Sequence, residues 1–235
     1  MPNRRDISEL FDAIAPKYDK LNHLMSFNLD KNWRRKAVRA IVSEHRSLQI
    51  LDVATGTGDL AIDIARAAGP GTKVVGLDLS ENMLEVAKEK VAQQNLSQTI
   101  DFQQGSCEQL PFEDASFDRV SVAFGVRNFE DMELGLREMC RILRPGGRLV
   151  ILELSYPDNR FLQWCFRQYA LRWLPIVGGK VSGYRAAYQY LPESVLKFPK
   201  PAVMVPKIRE AGFENVEAQA FTFGVCRMYV AEKTK

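Results

Sequence analysis

Apolar residues recur along the chain with two different periods. Over 7–45 they fall at helical spacing, with Ile7, Leu10, Phe11 and Ile14 on one stripe and Trp33, Ala37, Val38 and Ile41 on another, which predicts an N-terminal helical cap. From residue 48 short apolar runs take over, near 48–54, 73–78, 100–104, 117–124 and 147–155, with amphipathic stretches near 58–68, 81–94 and 131–143 between most of them. That alternation predicts a parallel sheet with right-handed crossovers and helices on both faces. Ser80 before Glu81-Asn82-Met83 reads as a helix N-cap, and Arg144-Pro145-Gly146-Gly147 as a helix stop and turn.

Beyond 155 the alternation lapses. The stretch 156–200 holds Tyr156, Phe161, Trp164, Phe166, Tyr169, Trp173, Tyr184, Tyr188, Tyr190 and Phe198, denser in aromatics than the 10% of the whole chain. A helix near 201–211, a turn at Gly212 and alternating runs at 213–222 and 224–231 then predict a closing β-hairpin. The expected organisation is one domain in four parts. These are a helical cap (1–46), an alternating core (47–155), an aromatic helical insertion (156–200), and a closing helix with hairpin (201–235).

Composition narrows the picture modestly. A chain of 235 residues, 46% hydrophobic and 26% charged, fills one α/β domain and leaves too little for a second. The formal charge of +3 is too mild to argue for a nucleic-acid partner. Cys107, Cys140, Cys165 and Cys226 are scattered without a Cys-x-x-Cys pair, so neither a metal site nor a disulfide framework is expected, and a reducing cytoplasm fits. No run approaches the roughly 20 apolar residues of a membrane span, and the start of the chain lacks the apolar core of a signal peptide. The expectation is a cytoplasmic protein, at most peripheral at the inner face of the cell membrane, with the oligomeric state open and a homodimer among the options.

The chemistry concentrates where the first strand ends. Leu48-Gln49-Ile50-Leu51-Asp52-Val53-Ala54 runs into Gly56-Thr57-Gly58-Asp59, a turn whose glycines let backbone approach a ligand closely. Gly56-x-Gly58-x-x-Ala61 fits the dinucleotide fingerprint, and Asp78, 20 residues past Gly58, stands where a ribose-binding acid belongs. A pyrophosphate on this helix N-terminus would meet Asp52 and Asp59, each repelling it by roughly 1 to 4 kcal/mol at contact. S-adenosyl-L-methionine has a ribose for Asp78, no phosphate, and an ammonium and a sulfonium for Asp52 and Asp59. It is the expected cofactor.

Several unrelated motifs in order then carry a resemblance. Phe11-Asp12-x-Ile14-Ala15-x-x-Tyr18-Asp19-x-x-Asn22, Leu51 to Asp59, Phe124-Gly125-Val126-Arg127-Asn128-Phe129, and Arg141 to Gly147 running on to Glu153-Leu154-Ser155 resemble the ubiquinone/menaquinone biosynthesis C-methyltransferases. Tyr188-x-Tyr190-Leu191-Pro192-Glu193-Ser194-Val195 with Phe198-Pro199 is most similar to the menaquinone branch. The resemblance implies a Rossmann-like class I S-adenosylmethionine-dependent methyltransferase fold, its seven-stranded sheet parallel except at the last strand. It implies a C-methylation converting demethylmenaquinol, a prenylated 1,4-naphthoquinol, to menaquinol. A polyprenyl benzoquinol is the alternative acceptor. Cofactor contacts are implied at Thr57, Asp78, Ser106 and Cys107, and at Ala123, where some members carry serine. Asp30 stands where the early motif often has histidine, and Tyr184 where an acid is usual.

Methylating a ring carbon requires an electron-rich quinol, hence a group that stabilises a quinolate and one that takes a proton. Arg127, oriented by Asn128 at the end of the fourth strand, is the expected stabiliser. Tyr18, Asp19, His23 and Tyr188 are the candidates for proton removal. The aromatic insertion reads either as core or as a lipophilic lid whose Arg160, Arg167, Arg172, Lys180 and Arg185 face anionic lipid. Two rivals remain at this level. A nucleic-acid methyltransferase lacks its usual Asp/Asn-Pro-Pro-aromatic segment here, and a non-catalytic cofactor-binding module is compatible with the spacing.

Overall fold

The computed structural model describes residues 12, 15, 18–43, 47–169 and 185–234, with backbone alone at 21 and 185–189. The expected stripe Ile7, Leu10, Phe11 and Ile14 lies outside the described residues, as do Arg172, Trp173, Lys180 and Tyr184 and the side chains of Arg185 and Tyr188. The cap is two helices, α1 (Tyr18–Met25) and α2 (Leu29–Ile41), broken where Phe27 and Asn28 take left-handed φ values of 53° and 60°. Trp33, Ala37, Val38 and Ile41 are buried on one face of α2, as their spacing predicts.

Alternation follows as expected: β1 (Gln49–Val53), α3 (Asp59–Ala67), β2 (Lys73–Asp78), α4 (Glu81–Gln93), β3 (Ile100–Gln104), β4 (Phe117–Ala123), α5 (Met132–Ile142) and β5 (Leu143–Leu154). Ser80 caps α4 by accepting from the Met83 N–H at 3.1 Å. After β5 come α6 (Arg160–Gln168), α7 (Arg185–Lys197), α8 (Pro201–Glu210), and the hairpin β6 (Glu214–Phe221) and β7 (Cys226–Glu232). The seven strands lie in the order β3-β2-β1-β4-β5-β7-β6, parallel except for β7, which runs antiparallel to both β5 and β6.

One boundary differs from its sequence reading. β5 starts at Leu143, directly after α5, rather than near 147, and Arg144 to Gly147 form an irregularity between the Phe117–Leu143 and Arg119–Arg148 pairs. Lys233, just past β7, clasps this bulge, its N–H donating to the Gly147 carbonyl and its own carbonyl accepting from Gly146. The partner that completes the strand lies far along the chain and is invisible to local propensity.

Strand residues alternate between two apolar layers. Leu51, Val53, Val120, Val122, Leu149 and Ile151 pack with α5 and α8, whereas Ile50, Val74, Val150 and Leu152 pack with α2 and α3. Connections pass outward from β1 to β2 and β3, then back across to β4. The crevice at the carboxyl ends of β1 and β4 is therefore the topological switch point, where α/β sheets bind ligands.

Candidate active site

The loop after β1 is shaped by left-handed backbone at Ala54, Gly56 and Gly58 (φ 51°, 56° and 79°). A Cβ at Gly58 would sit 3.1 Å from the Ala87 Cβ and 3.3 Å from the Phe102 ring, so glycine there lets α3 begin hard against α4 and β3. A Cβ at Gly125 would stand 2.7 Å from the Ala54 Cβ, closer than packing allows. That contact draws the loops after β1 and β4 together across the switch point.

Asp78, the last residue of β2, accepts the Gly56 N–H at 2.8 Å and the Ser80 N–H at 2.9 Å. Burial pushes its pKa upward against these hydrogen bonds. Each carboxylate oxygen accepts more than one hydrogen bond, so capacity remains toward the cavity that Asp78 lines. Burial likewise pushes Asp52 up, to about 6, although Thr55 Oγ1 and Ser121 Oγ each donate to it at 2.7 Å.

Two cavities adjoin over this crevice and share Tyr18, Ala54, Gly56, Ala123 and Phe124 as a common wall. The first, open to solvent on one side, spans about 790 Å³ of empty space between Asp78, Leu79, Met83, Cys107, Glu108, Asn128 and Phe129. The second, about 1140 Å³, is bounded by Asp52, Thr57, His23, Trp33, Arg127, Tyr169, Leu191 and Val195 among others. A chamber with a ribose-type acid thus opens beside a larger one whose aromatic and aliphatic walls also carry Asp52, His23 and Arg127.

The structure brings most sequence-predicted residues to these walls and reassigns some. Gly56, Asp78, Cys107 and Ala123 line the first cavity; Asp52, Thr57, Asp19, His23 and Arg127 line the second; Tyr18 faces both. Ser106 does not line either; its hydroxyl accepts the Glu108 N–H at 3.2 Å and stabilises the turn. Thr57 donates its hydroxyl to Asp19 Oδ1 at 2.5 Å, which ties the loop to α1. Asp59, expected to meet the ligand's positive charge, is bound instead by Lys90 Nζ at 2.5 Å and Arg34 Nη2 at 3.1 Å. The electrostatic argument against a diphosphate therefore rests on Asp52 and Asp78.

Arg127 and Asn128 also differ from expectation. Asn128 does not orient Arg127; its Oδ1 accepts from the Tyr190 hydroxyl at 3.0 Å. Arg127 is held by Glu153 (Nη1 to Oε1, 2.7 Å), by the Phe124 carbonyl and by Ser194 Oγ at 3.3 Å. Glu153 is fully buried at 0% exposure, so the pair fastens the end of β4 to β5 and α7.

Beside α1 stands a cluster that spacing alone did not disclose. His23 Nδ1 lies 2.8 Å from Asp30 Oδ2, while Asp30 also accepts from Ser26 Oγ at 2.5 Å and Arg34 Nη1 at 2.7 Å. These contacts draw the pKa of Asp30 down despite burial. The Asp30–Arg34 contact is an i,i+4 helix pair. Its role in holding His23 needed the fold, as did Lys90, Glu108, Glu153 and Tyr190 as site residues.

A parallel sheet with an antiparallel strand slotted in beside β5, and a glycine loop flanked by the buried acids Asp52 and Asp78, define a class I S-adenosylmethionine-dependent methyltransferase. Solved structures share the architecture. A Thermotoga maritima SAM-dependent methyltransferase, described as a possible histamine N-methyltransferase, superposes with a TM-score of 0.67 at 19% identity, over 96% of this chain and 99% of that one. The model of the ubiE/COQ5 methyltransferase family matches residues 2–233, and the chain belongs to that family. The demethylmenaquinone methyltransferase of Bacteroides fragilis is 44% identical over 97% of this chain and 92% of its own length. The ubiquinone/menaquinone biosynthesis C-methyltransferase of Geotalea daltonii is 43% identical over 97% and 96%.

Proposed function

We propose that the protein methylates a ring carbon of a prenylated 1,4-naphthoquinol, converting demethylmenaquinol to menaquinol. The observation that carries this reading is the pair of adjoining cavities, one with Asp78 for a ribose, the other larger and setting Asp52, for a positive charge, beside Trp33, Tyr169, Leu191 and Val195, with a shared wall between them. The names of the relatives support the naphthoquinol over other acceptors. S-adenosylmethionine supplies an electrophilic methyl on a sulfonium. Asp78 would hold its ribose hydroxyls, Leu79, Met83, Cys107 and Phe129 would enclose its base, and ionised Asp52 would attract its positive charge.

Among the described proton acceptors the geometry favours His23. Asp19 is engaged by Thr57 and Lys90, and burial raises the pKa of Tyr18, which keeps its phenol protonated and makes it a poor base. With Nδ1–H donated to Asp30, His23 leaves the Nε2 lone pair on the cavity side; the Asp59 carboxylate, at 3.9 Å, lies beyond hydrogen-bond reach. His23 removes a quinol hydroxyl proton, and Arg127 faces the resulting oxyanion with a charge already shared with Glu153. With the cofactor bound, its sulfonium methyl would pass to the ring carbon and leave the C–S electron pair on sulfur; the ring C–H proton would move to the ring oxygen as aromaticity returns, and His23 would release its proton to solvent. Peripheral contact with the membrane's inner face goes with such an acceptor, and among the described residues no helix is long and apolar enough to cross a membrane.

Initial rates with reduced short-chain demethylmenaquinol and with a matched benzoquinol test the assignment. A higher kcat/KM for the naphthoquinol is expected. Preference for the benzoquinol, or turnover of neither, overturns it.

A further inference from the structure

Among the described residues, every phenylalanine and tryptophan left exposed lies at one end of the molecule: Phe27 (73%), Phe161 (69%), Trp164 (60%) and Phe223 (81%). They come from three segments distant in sequence, the α1–α2 turn, α6 and the β6–β7 loop. Specific contacts join these segments into one rim. At one end of α6 the Tyr169 hydroxyl donates to the Met25 carbonyl at 2.7 Å, and its ring meets that of Phe27 with centroids 6.1 Å apart. At the other end Ser155 Oγ donates to the Gly224 carbonyl at 2.6 Å, and Arg227 pairs with Asp158.

The rim surrounds the second cavity, since Met25, Phe166, Tyr169 and Val225 from the same three segments line it. None of the nine residues of α6 is buried, so the apolar surface of this helix is not consumed by the core. Phe161 and Trp164 instead stack on each other facing outward, with centroids 6.3 Å apart. Phe223 keeps a left-handed φ of 57° while almost wholly exposed, a strained backbone with no packing inside the protein to offset it. The elements that carry the rim, α1, α2 and α6, expose Lys20, Lys31, Arg35, Arg160 and Arg167, and the exposed Asp158 just before α6 is paired with Arg227. The described residues of α1, α2 and α6 expose no acid, because Asp30 is buried and Asp19 is held by Lys90.

We propose that this rim docks on an anionic lipid bilayer, with Phe27, Phe161, Trp164 and Phe223 entering the interface and the cationic side chains meeting lipid phosphates. Aromatics at headgroup depth ringed by Lys and Arg are the composition that interfacial binding requires. The acceptor's prenyl chain then stays in the bilayer while its ring enters the cavity from the rim. This deepens the reading of the acceptor as prenylated and rests on it.

The test is sedimentation of the full chain with phosphatidylcholine vesicles, with and without phosphatidylglycerol, alongside turnover on two acceptors. The expected result is binding to the anionic vesicles, weakened by added salt, and a loss of about tenfold or more in the F161S/W164S variant. F223S, on a separate loop, is expected to weaken binding in the same direction. Both variants keep turnover on a water-soluble short-chain quinol and lose it on a long-chain quinol embedded in vesicles. Absence of vesicle binding by the unaltered protein overturns the proposal, as does a dimer that covers this face and is abolished by F161S/W164S. Vesicle binding without turnover on either acceptor supports the surface and overturns the naphthoquinol reading instead.

Discussion

The two halves of the crevice are built differently. In the cofactor half, most partners are near in sequence or fixed to backbone, Asp78 to Gly56 and Ser80 and Asp52 to Thr55, with Ser121 of β4 reaching Asp52 across 69 positions as the exception. In the acceptor half, walls are assembled from segments far apart: Trp33 Nε1 donates to Thr222 Oγ1 at 3.0 Å across 189 positions, and the Tyr169 hydroxyl donates to the Met25 carbonyl across 144. The contrast teaches that one half is a property of a βαβ turn, common to the fold class. The other is a property of this chain's cap and insertion, and there acceptor specificity resides.

The largest expected effect tests whether the halves act separately. His23→Gln should lower single-turnover methyl transfer by about 10²- to 10⁴-fold while cofactor affinity by calorimetry is unchanged. Loss of cofactor affinity in parallel would assign His23 to structure. Next, Arg127→Ala strands Glu153 in the core, and thermal unfolding should report a loss of about 3 to 5 kcal/mol, larger than any effect on cofactor binding. Unchanged stability would show that Arg127 is not the fastener between the halves.

Asp52 sharpens the comparison from the cofactor side. Its folded pKa of about 6 lies above the ordinary carboxylate range, so between that range and pH 6 the folded chain binds more protons than the unfolded one. Stability therefore falls as pH rises through this window, and the penalty, about 3 kcal/mol, is complete above pH 6. Asp52→Asn should stabilise the cofactor-free protein at pH 8 by up to that amount, do little at pH 4, and weaken cofactor binding. Denaturant melts at the two pH values check the sign. Cofactor affinity of the unaltered protein should also decline as pH drops through 6. The smallest effect belongs to Asp78→Ala, expected to raise the cofactor Kd about tenfold or more by loss of charge-assisted hydrogen bonds, with the fold intact. An unchanged Kd would refute its assignment to the ribose.

Legibility in the sequence follows the same division. The order of strands and helices, Ser80 as cap, Gly56, Gly58 and Asp78 all follow from period and local turn chemistry, because their partners lie within one βαβ unit. Spacing does not show that Lys90, 31 positions away, meets Asp59, nor that Glu153 and Ser194 reach Arg127 from β5 and α7. His23 was recognised as a candidate, but what orients it, Asp30, stood out only as a departure from the family's histidine. Charge alone does not show which opposite charge the fold will bring to it.

The most direct measurement is a single turnover with excess protein, S-adenosylmethionine labelled in its methyl group, and short-chain demethylmenaquinol kept reduced. The account predicts label on the naphthoquinol ring of the product, in an amount set by the bound cofactor. Saturable cofactor binding with no label on the quinol would contradict it.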